Sequence, residues 1–505
     1  MKLNQIFLAI AILSLLAFST KKNEVVITGK IVGNNISKIE YTTPVKGIFN
    51  GLMTDSIKPD ISGNFQIVIP FEKFGFIVFR PVYKTKPEYK TQGFIIAEPG
   101  ENYTVVIDSN KDNDNFQVSG KNEIAINQFN KIQNPLFQMI GSEIRPFRKD
   151  SVASSIHEKI QSQKEKEIAV FKEMYNKGQI SGDFLQLVQI DRFCYYAEMT
   201  ALLIQTKFNA SSNPNAKFPK EMAEVYKYKD EMKGIWEEAF KTDYAPEELA
   251  RSPWWFSYYK YYIYFKGYSN NELTQQTIKE LNDKQLFKTF HLNNAAKKYL
   301  PASLFESYFA NYIYSDCFLF REVQDFELVT LYDQFDHDYP NNTYAKYLTP
   351  WININKDYQR KINGSEYDKN VKFIVDYQNI NNLRDCVKSF KGKKVYIDVW
   401  ASWCGSCRAE FSKKEKLNEL LKSKGIEMLY ISMDEDKKEK NWKDLIKYYH
   451  LDGYHLRANK LLSENIKKLQ SSGEVFYIPW HIMIDENGNT MELPVDIADL
   501  VKENN

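Results

Sequence analysis

Lys394-Val395-Tyr396-Ile397-Asp398-Val399-Trp400-Ala401-Ser402-Trp403-Cys404-Gly405-Ser406-Cys407-Arg408-Ala409-Glu410 decides how this chain is read. Val395 to Trp400 is an apolar run of the kind that forms a buried strand. A short loop then carries two cysteines, and a mixture of polar and apolar residues opens a helix. The Cys-x-x-Cys spacing lets one thiol attack a mixed disulfide made by the other. A strand that stops at the first cysteine puts that sulfur at a helix N-terminus, where unpaired N–H groups and the helix dipole favour the thiolate. Cys404 is therefore expected to be the exposed nucleophile, and Cys407, one turn in, the resolving thiol. Half a zinc site is the competing use of this spacing. It needs two further Cys or His ligands, none is evident, and no metal is expected.

Outward from the motif the pattern alternates between strand and helix. Val371 to Val375 reads as a strand and Asn381 to Phe390 as a turn or short helix. Arg408 to Lys424 is amphipathic, with Gly425 as its stop. Glu427 to Met433 is a strand of the parallel, fully buried type. Helices are expected at Lys440 to His450 and Leu461 to Leu469. Trp480 to Asp485 is a strand, Glu486-Asn487-Gly488-Asn489 a hairpin turn into Thr490 to Glu492, and Asp496 to Glu503 a closing helix.

Strand, Trp-Ala-Ser-Trp, Cys-x-x-Cys and helix together resemble the active site of the thioredoxin superfamily, and Trp-Cys-x-x-Cys-Arg-x-Glu is most similar to TlpA/ResA-like thiol-disulfide oxidoreductases. The resemblance covers roughly the last 140 residues. It implies that Ile478-Pro479 is a cis peptide beside the disulfide, leaving backbone groups free to pair with an extended substrate. It makes Trp403, Ile478 and Pro479 the substrate-binding set. It also implies that Asp398, on the active-site strand, takes the proton from the resolving thiol, since a buried carboxylate titrates near neutrality. The bland alternative for Asp398 is a satisfied polar residue near the sheet edge. Two positions depart from the family pattern: Trp480 stands where many relatives carry a small or hydroxylated residue, and Ser412 where a proline often follows.

The 505 residues suffice for three domains at roughly 150 residues each. Residues 1–19 read as a signal peptide: Lys2, an apolar Ile6 to Leu16, and Ala17-Phe18-Ser19 for cleavage. No Cys follows near residue 20 to take a lipid anchor. Residues 20–120 are strand-like, with runs at Val25 to Ile31, Asn64 to Pro70, Gly93 to Ala97 and Tyr103 to Asp108 separated by Gly, Pro, Asn and Asp. They read as an antiparallel β-sandwich resembling the DUF4369 type. Residues 121–362 carry helical periodicity at Ser151 to Asn176, Asp183 to Lys207, Pro301 to Val323 and Asp325 to His337. Their aromatic stripes, Trp254-Trp255-Phe256 and Tyr258-Tyr259, read as core. Residues 363–505 form the thioredoxin-like α/β domain. Cys194, Cys317 and Cys386 are expected to be buried and inert.

Basic and acidic residues nearly cancel, 67 against 65, so no global field recruits nucleic acid. The resemblance implies an exported protein-disulfide reductase of the periplasm or cell envelope. Its partners would be disulfide-bearing proteins and an upstream membrane electron donor, with no cofactor beyond the Cys404-Cys407 pair and no membrane span. Another class stays open: a periplasmic or surface binding protein whose first 360 residues recognise a ligand, with the redox domain secondary. A peroxiredoxin-type peroxidase usually needs Thr-x-x-Cys, which Trp403-Cys404 lacks.

Overall fold

The computed structural model describes residues 21–492 apart from 85–91, 112–114, 133–142, 148–149, 151, 213–228, 271, 285, 320–325, 365, 391, 412–413, 471–475 and 488. The leader at 1–19, the closing helix at 496–503 and Ser412 lie outside the described residues. The chain divides into two compact units. One holds the residues up to Ser315 with Leu331–Leu348, and the other Asp316–Thr330 with the residues from Thr349 on. Among the described residues no helix is long and apolar enough to cross a membrane.

Among the described residues the first unit begins with eight strands in two four-stranded sheets. One has the order β4-β1-β7-β8, from Asn64–Pro70, Glu24–Val32, Asn102–Asp108 and Phe116–Gly120. The other runs β3-β2-β5-β6, from Asp55–Ile57, Ile36–Thr42, Gly75–Tyr83 and Gly93–Ala97. β4 alternates buried and exposed residues along its length, as a strand with one solvated face must. The expected purely antiparallel arrangement needs a correction, because β1 and β7 pair in parallel. β5 and β6 belong to the second sheet, so the chain re-enters the first on the far side of β1 from β4, travelling in β1's direction. β2, β3 and β8 carry weaker runs and were not expected as strands, and neither was β5, although its Phe76-Ile77-Val78-Phe79 is strongly apolar.

Long helices follow at Ala153–Asn176 and Gly182–Ser212. The aromatic stripes are core, as expected: Trp254, Trp255, Phe256, Tyr258 and Tyr259 are all 5% exposed or less. Sheets and helices share packing in this unit. Trp255 Nε1 donates to the Phe49 carbonyl at 2.7 Å, and the Arg251 guanidinium donates to the Phe74 carbonyl at 2.8 and 3.0 Å. Cys194, Cys317 and Cys386 are buried and take no part in a disulfide. Burial pushes the Cys194 and Cys386 thiols up, Cys386 to about 12, so neither is poised as a thiolate.

The second unit is built on a six-stranded mixed sheet in the order β14-β13-β10-β11-β12-β9. The strands are Val371–Phe373 (β9), Val395–Trp400 (β10), Glu427–Ser432 (β11), Gly453–Arg457 (β12), Trp480–Ile484 (β13) and Thr490–Glu492 (β14). β10, β11, β12 and β9 pair in parallel, while β13 and β14 join antiparallel. All six residues of β10 are buried, as a central strand covered on both faces requires. Helices Lys414–Ser423, Glu439–Tyr448 and Lys460–Gln470 cross over between strands or flank them. Gly425 takes φ 66° just past the first of these, the left-handed stop that glycine adopts without a Cβ clash. β12 was not foreseen. Its His455 and Arg457 break the apolar pattern, yet both are buried: His455 stacks on Tyr430 at 4.9 Å, and Arg457 pairs with Asp436 at 2.5 Å.

The β3–β4 turn gives a test of the N-terminal fold. Asp60 Oδ1 accepts the N–H groups of Ser62 and Asn64, each at 2.8 Å, and Gly63 closes the turn at φ 83°. A Cβ at residue 63 would lie 2.6 Å from the Ile31 carbonyl oxygen. Gly63→Ala therefore meets both left-handed strain and a backbone clash, and should cost about 1–3 kcal/mol in denaturant unfolding. Ile61→Ser at the exposed tip should stay within about 0.5 kcal/mol. Equal stability of the two variants would contradict this reading of the turn.

Candidate active site

The site is assembled where β10 ends. Ala401 to Cys404 turn the chain out of the sheet, and the helix Gly405–Glu410 starts with Cys404 at its N-cap. Cys404 and Cys407 are joined, with S–S 1.98 Å. The Cys407 N–H points at Cys404 Sγ, 3.1 Å away. Ser406 Oγ is 3.4 Å from the same sulfur. Both groups can donate to a sulfur anion, which is how a thiolate at this position is favoured.

Cys404 itself is 5% exposed and Cys407 1%, which corrects the expectation of an exposed nucleophile. In the oxidised pair the Cys404 sulfur turns inward to Cys407, and the Ile478 carbonyl oxygen stands 3.7 Å from it. The exposed feature is Trp403, at 61%, with Tyr477 beside Ile478 at 45%. The Ile478–Pro479 peptide is cis. Pro479 is buried and Ile478 half-buried. Trp480 is 5% exposed and begins β13.

The active-site loop is held from an element the motif does not contain. Asp434 Oδ2 accepts the Ser402 N–H at 2.7 Å, and Asp434 Oδ1 accepts the Ser402 hydroxyl at 2.7 Å. The Ser432 hydroxyl donates to the same carboxylate at 2.8 Å. Asp434 is 1% exposed, just past the end of β11. Three charge-assisted hydrogen bonds on one buried carboxylate fix the loop that delivers Trp403 and Cys404. Its only sequence signal is a carboxylate following a buried strand.

Asp398 is 2% exposed on β10, which is flanked by β11 on one side and β13 on the other. It is therefore interior to the sheet, and the edge reading is overturned: strand position is set by the crossovers, not by the local run. Burial pushes its carboxyl up to about 6. His481 offsets part of that rise, and Glu410 adds to it. His481 Nε2 lies 3.7 Å from Asp398 Oδ1 and 3.2 Å from Glu410 Oε2. Sequence reasoning missed His481. It lies 83 residues after Asp398, and only the β10–β13 register, Asp398 opposite His481, brings the two together.

The site-bearing domain has known relatives. The family described as Redoxin matches residues 370–498. The thiol-disulfide oxidoreductase ResA of Bacillus cereus is 28% identical over 106 residues, which are 21% of this chain and 57% of that protein. An uncharacterized protein of Haemophilus influenzae is 27% identical over 115 residues, 23% of this chain and 72% of its own length. Among solved structures, the thioredoxin domain of a thiol-disulfide oxidoreductase from Bacteroides vulgatus is 25% identical. It covers 23% of this chain and 80% of that structure, with a TM-score of 0.20. The chain thus spans little more than half the length of the ResA relative, and the Redoxin match falls on the unit that holds Cys404 and Cys407. With its Cys-x-x-Cys pair at the junction of a central strand and the following helix, the C-terminal domain of this chain belongs to the thioredoxin superfamily.

Proposed function

We propose that this protein is an exported thiol-disulfide oxidoreductase that reduces disulfides of other envelope proteins. The observation that carries the reading is the Cys404–Cys407 pair at the N-cap of the Gly405–Glu410 helix, inside a Redoxin-family domain. Cys404 is the nucleophile and Cys407 the resolving thiol. Trp403, the Ile478 carbonyl and the buried Pro479 form the surface on which an extended segment of the substrate protein lies. The sandwich-like N-terminal sheets and the helices after them serve as a scaffold or docking module. Electrons come from an upstream membrane donor, a role for which similarity to a DsbD of Actinobacillus pleuropneumoniae (24% identical over 111 residues) offers support in kind.

Two features favour the reducing direction. The motif Trp403-Cys404-Gly405-Ser406-Cys407-Arg408 has no histidine between the cysteines to add thiolate stabilisation. The buried Asp398, once ionised, disfavours a further negative charge nearby. Both keep the dithiol a willing electron donor.

A second reading, a binding protein in which the redox domain is secondary, is favoured by one observation. Within the first unit a cleft of about 530 Å³ is lined by Phe193, Tyr196 and Tyr244 together with Lys164. That volume suits a small ligand.

The division of labour between the thiols is directly testable. Cys404→Ala should abolish disulfide reduction. Cys407→Ala should still attack but accumulate mixed disulfides on Cys404, visible on non-reducing gels after acid quench, because no thiol remains to release them. Capture of partners by Cys404→Ala rather than Cys407→Ala would reverse the assignment.

Asp398 carries a stability signature as well. Its carboxyl is raised to about 6 in the folded protein, above the unfolded value, so the folded state holds the proton more tightly. The ionised side chain therefore opposes folding, with no effect at acid pH and a growing cost as pH rises towards and through about 6. Asp398→Asn should stabilise the protein at neutral pH by about 3 kcal/mol, lose that advantage in acid, and slow turnover. Denaturant melts that show the same difference between wild type and variant at both pH values would contradict this account.

A further inference from the structure

Three ionisable side chains meet between β10, β13 and the helix that starts at the cysteine pair, and the motif accounts for two of them. The third, His481, comes from β13. The β10–β13 register sets it opposite Asp398, so the two side chains share one face of the sheet. Glu410 comes from the helix, three residues after Cys407, which puts it on the same helical face as that thiol. The imidazole stands between the two carboxylates, 3.7 Å from Asp398 and 3.2 Å from Glu410. Its side chain is 0% exposed, that of Asp398 3% and that of Glu410 15%. Tyr396 of β10 stacks on the ring at 5.7 Å. Among the described residues Tyr396 and Tyr430 of β11 also act on this cluster, and burial pushes both hydroxyls up, so they stay neutral.

Two carboxylates brought this close out of water oppose each other's ionisation, and a cation between them offsets that opposition. We propose that His481 is a positioning residue for thiol-disulfide exchange: its ring, held between Asp398 and Glu410, keeps Asp398 ready to receive the proton that leaves Cys407. The inference rests on the oxidoreductase reading given above. In the mixed disulfide between Cys404 and a substrate, the Cys407 thiol gives its proton to the Asp398 carboxylate. The freed electron pair on Cys407 forms the bond to Cys404 Sγ. The bond from Cys404 to the substrate sulfur breaks, and the substrate leaves as a thiolate. Over the cycle the substrate disulfide gains two electrons, and the Cys404–Cys407 dithiol becomes the disulfide. His481 is unchanged throughout, acting only through Asp398.

The arrangement makes two substitutions move one limb in opposite directions. His481→Gln keeps a polar side chain of similar reach but removes the ring whose electrostatic effect lowers the Asp398 carboxyl, so Asp398 holds its proton to higher pH. Glu410→Gln removes the like charge, so Asp398 ionises at lower pH. The test uses the full chain, reduced and then glutathionylated on Cys404 with oxidised glutathione. The rate at which glutathione is released is followed by acid quench and mass spectrometry across the acid and neutral range. The acid limb of that rate should move up by about one pH unit in His481→Gln and down in Glu410→Gln. A purely structural role for the ring would lower thermal stability and leave the limb where wild type has it. An unmoved or lowered limb in His481→Gln overturns the proposal. If His481→Gln does not fold, an unmoved limb in Glu410→Gln overturns it instead. Wild type that never releases glutathione overturns the oxidoreductase reading, and this role falls with it.

Discussion

A carboxylate held out of water in the middle of a central strand is the constraint around which the catalytic unit is arranged. Every residue of β10 is buried, and Asp398 is the only charged one among them. Removing a carboxylate from water disfavours its charge, which is why its carboxyl sits near 6 rather than in the usual aspartate range. The fold answers with a buried imidazole on the adjoining strand rather than with a surface lysine or a water-filled cleft. Stability is thereby given up at neutral pH, where this carboxyl ionises in the folded protein.

A second buried carboxylate does the opposite work. Asp434 is saturated with donors from Ser402 and Ser432 and serves as an anchor. Asp398 titrates; Asp434 ties the loop down so that the strand end, Trp403 and Cys404 keep one geometry. The same residue type takes two roles because one site supplies hydrogen-bond donors and the other withholds them. Opposite the loop, Ile478 brings its carbonyl to within 3.7 Å of the Cys404 sulfur, so main chain approaches the disulfide, while the neighbouring Trp403 is exposed.

What was legible in the sequence was what depends on neighbours along the chain. The strand before Cys404, the helix start after it, the β13–β14 hairpin and the aromatic core of the helices all follow from local pattern and turn chemistry. What was not legible depends on partners far away. β12 hides behind His455 and Arg457, whose burial is met by the Tyr430 ring and the Leu451 carbonyl for one and by Asp436 and Glu439 for the other. The parallel pairing of β1 and β7 follows from which sheet the intervening strands join, and no single stretch reports that. His481 looked like one residue of an apolar strand until the register set it opposite Asp398. Cys404 was read as exposed because helix N-termini usually are; the oxidised pair turns its sulfur inward and leaves Trp403 at the surface.

The central claim is that this dithiol donates electrons, and its midpoint potential tests that most directly. The full chain would be equilibrated in a graded series of glutathione or dithiothreitol buffers, and the fraction of the Cys404–Cys407 disulfide read by alkylation and mass spectrometry. The account expects a reducing value, closer to that of thioredoxin at about −270 mV than to that of DsbA at about −120 mV. A midpoint at the oxidising end would contradict it, and would make this protein a donor of disulfides rather than of electrons.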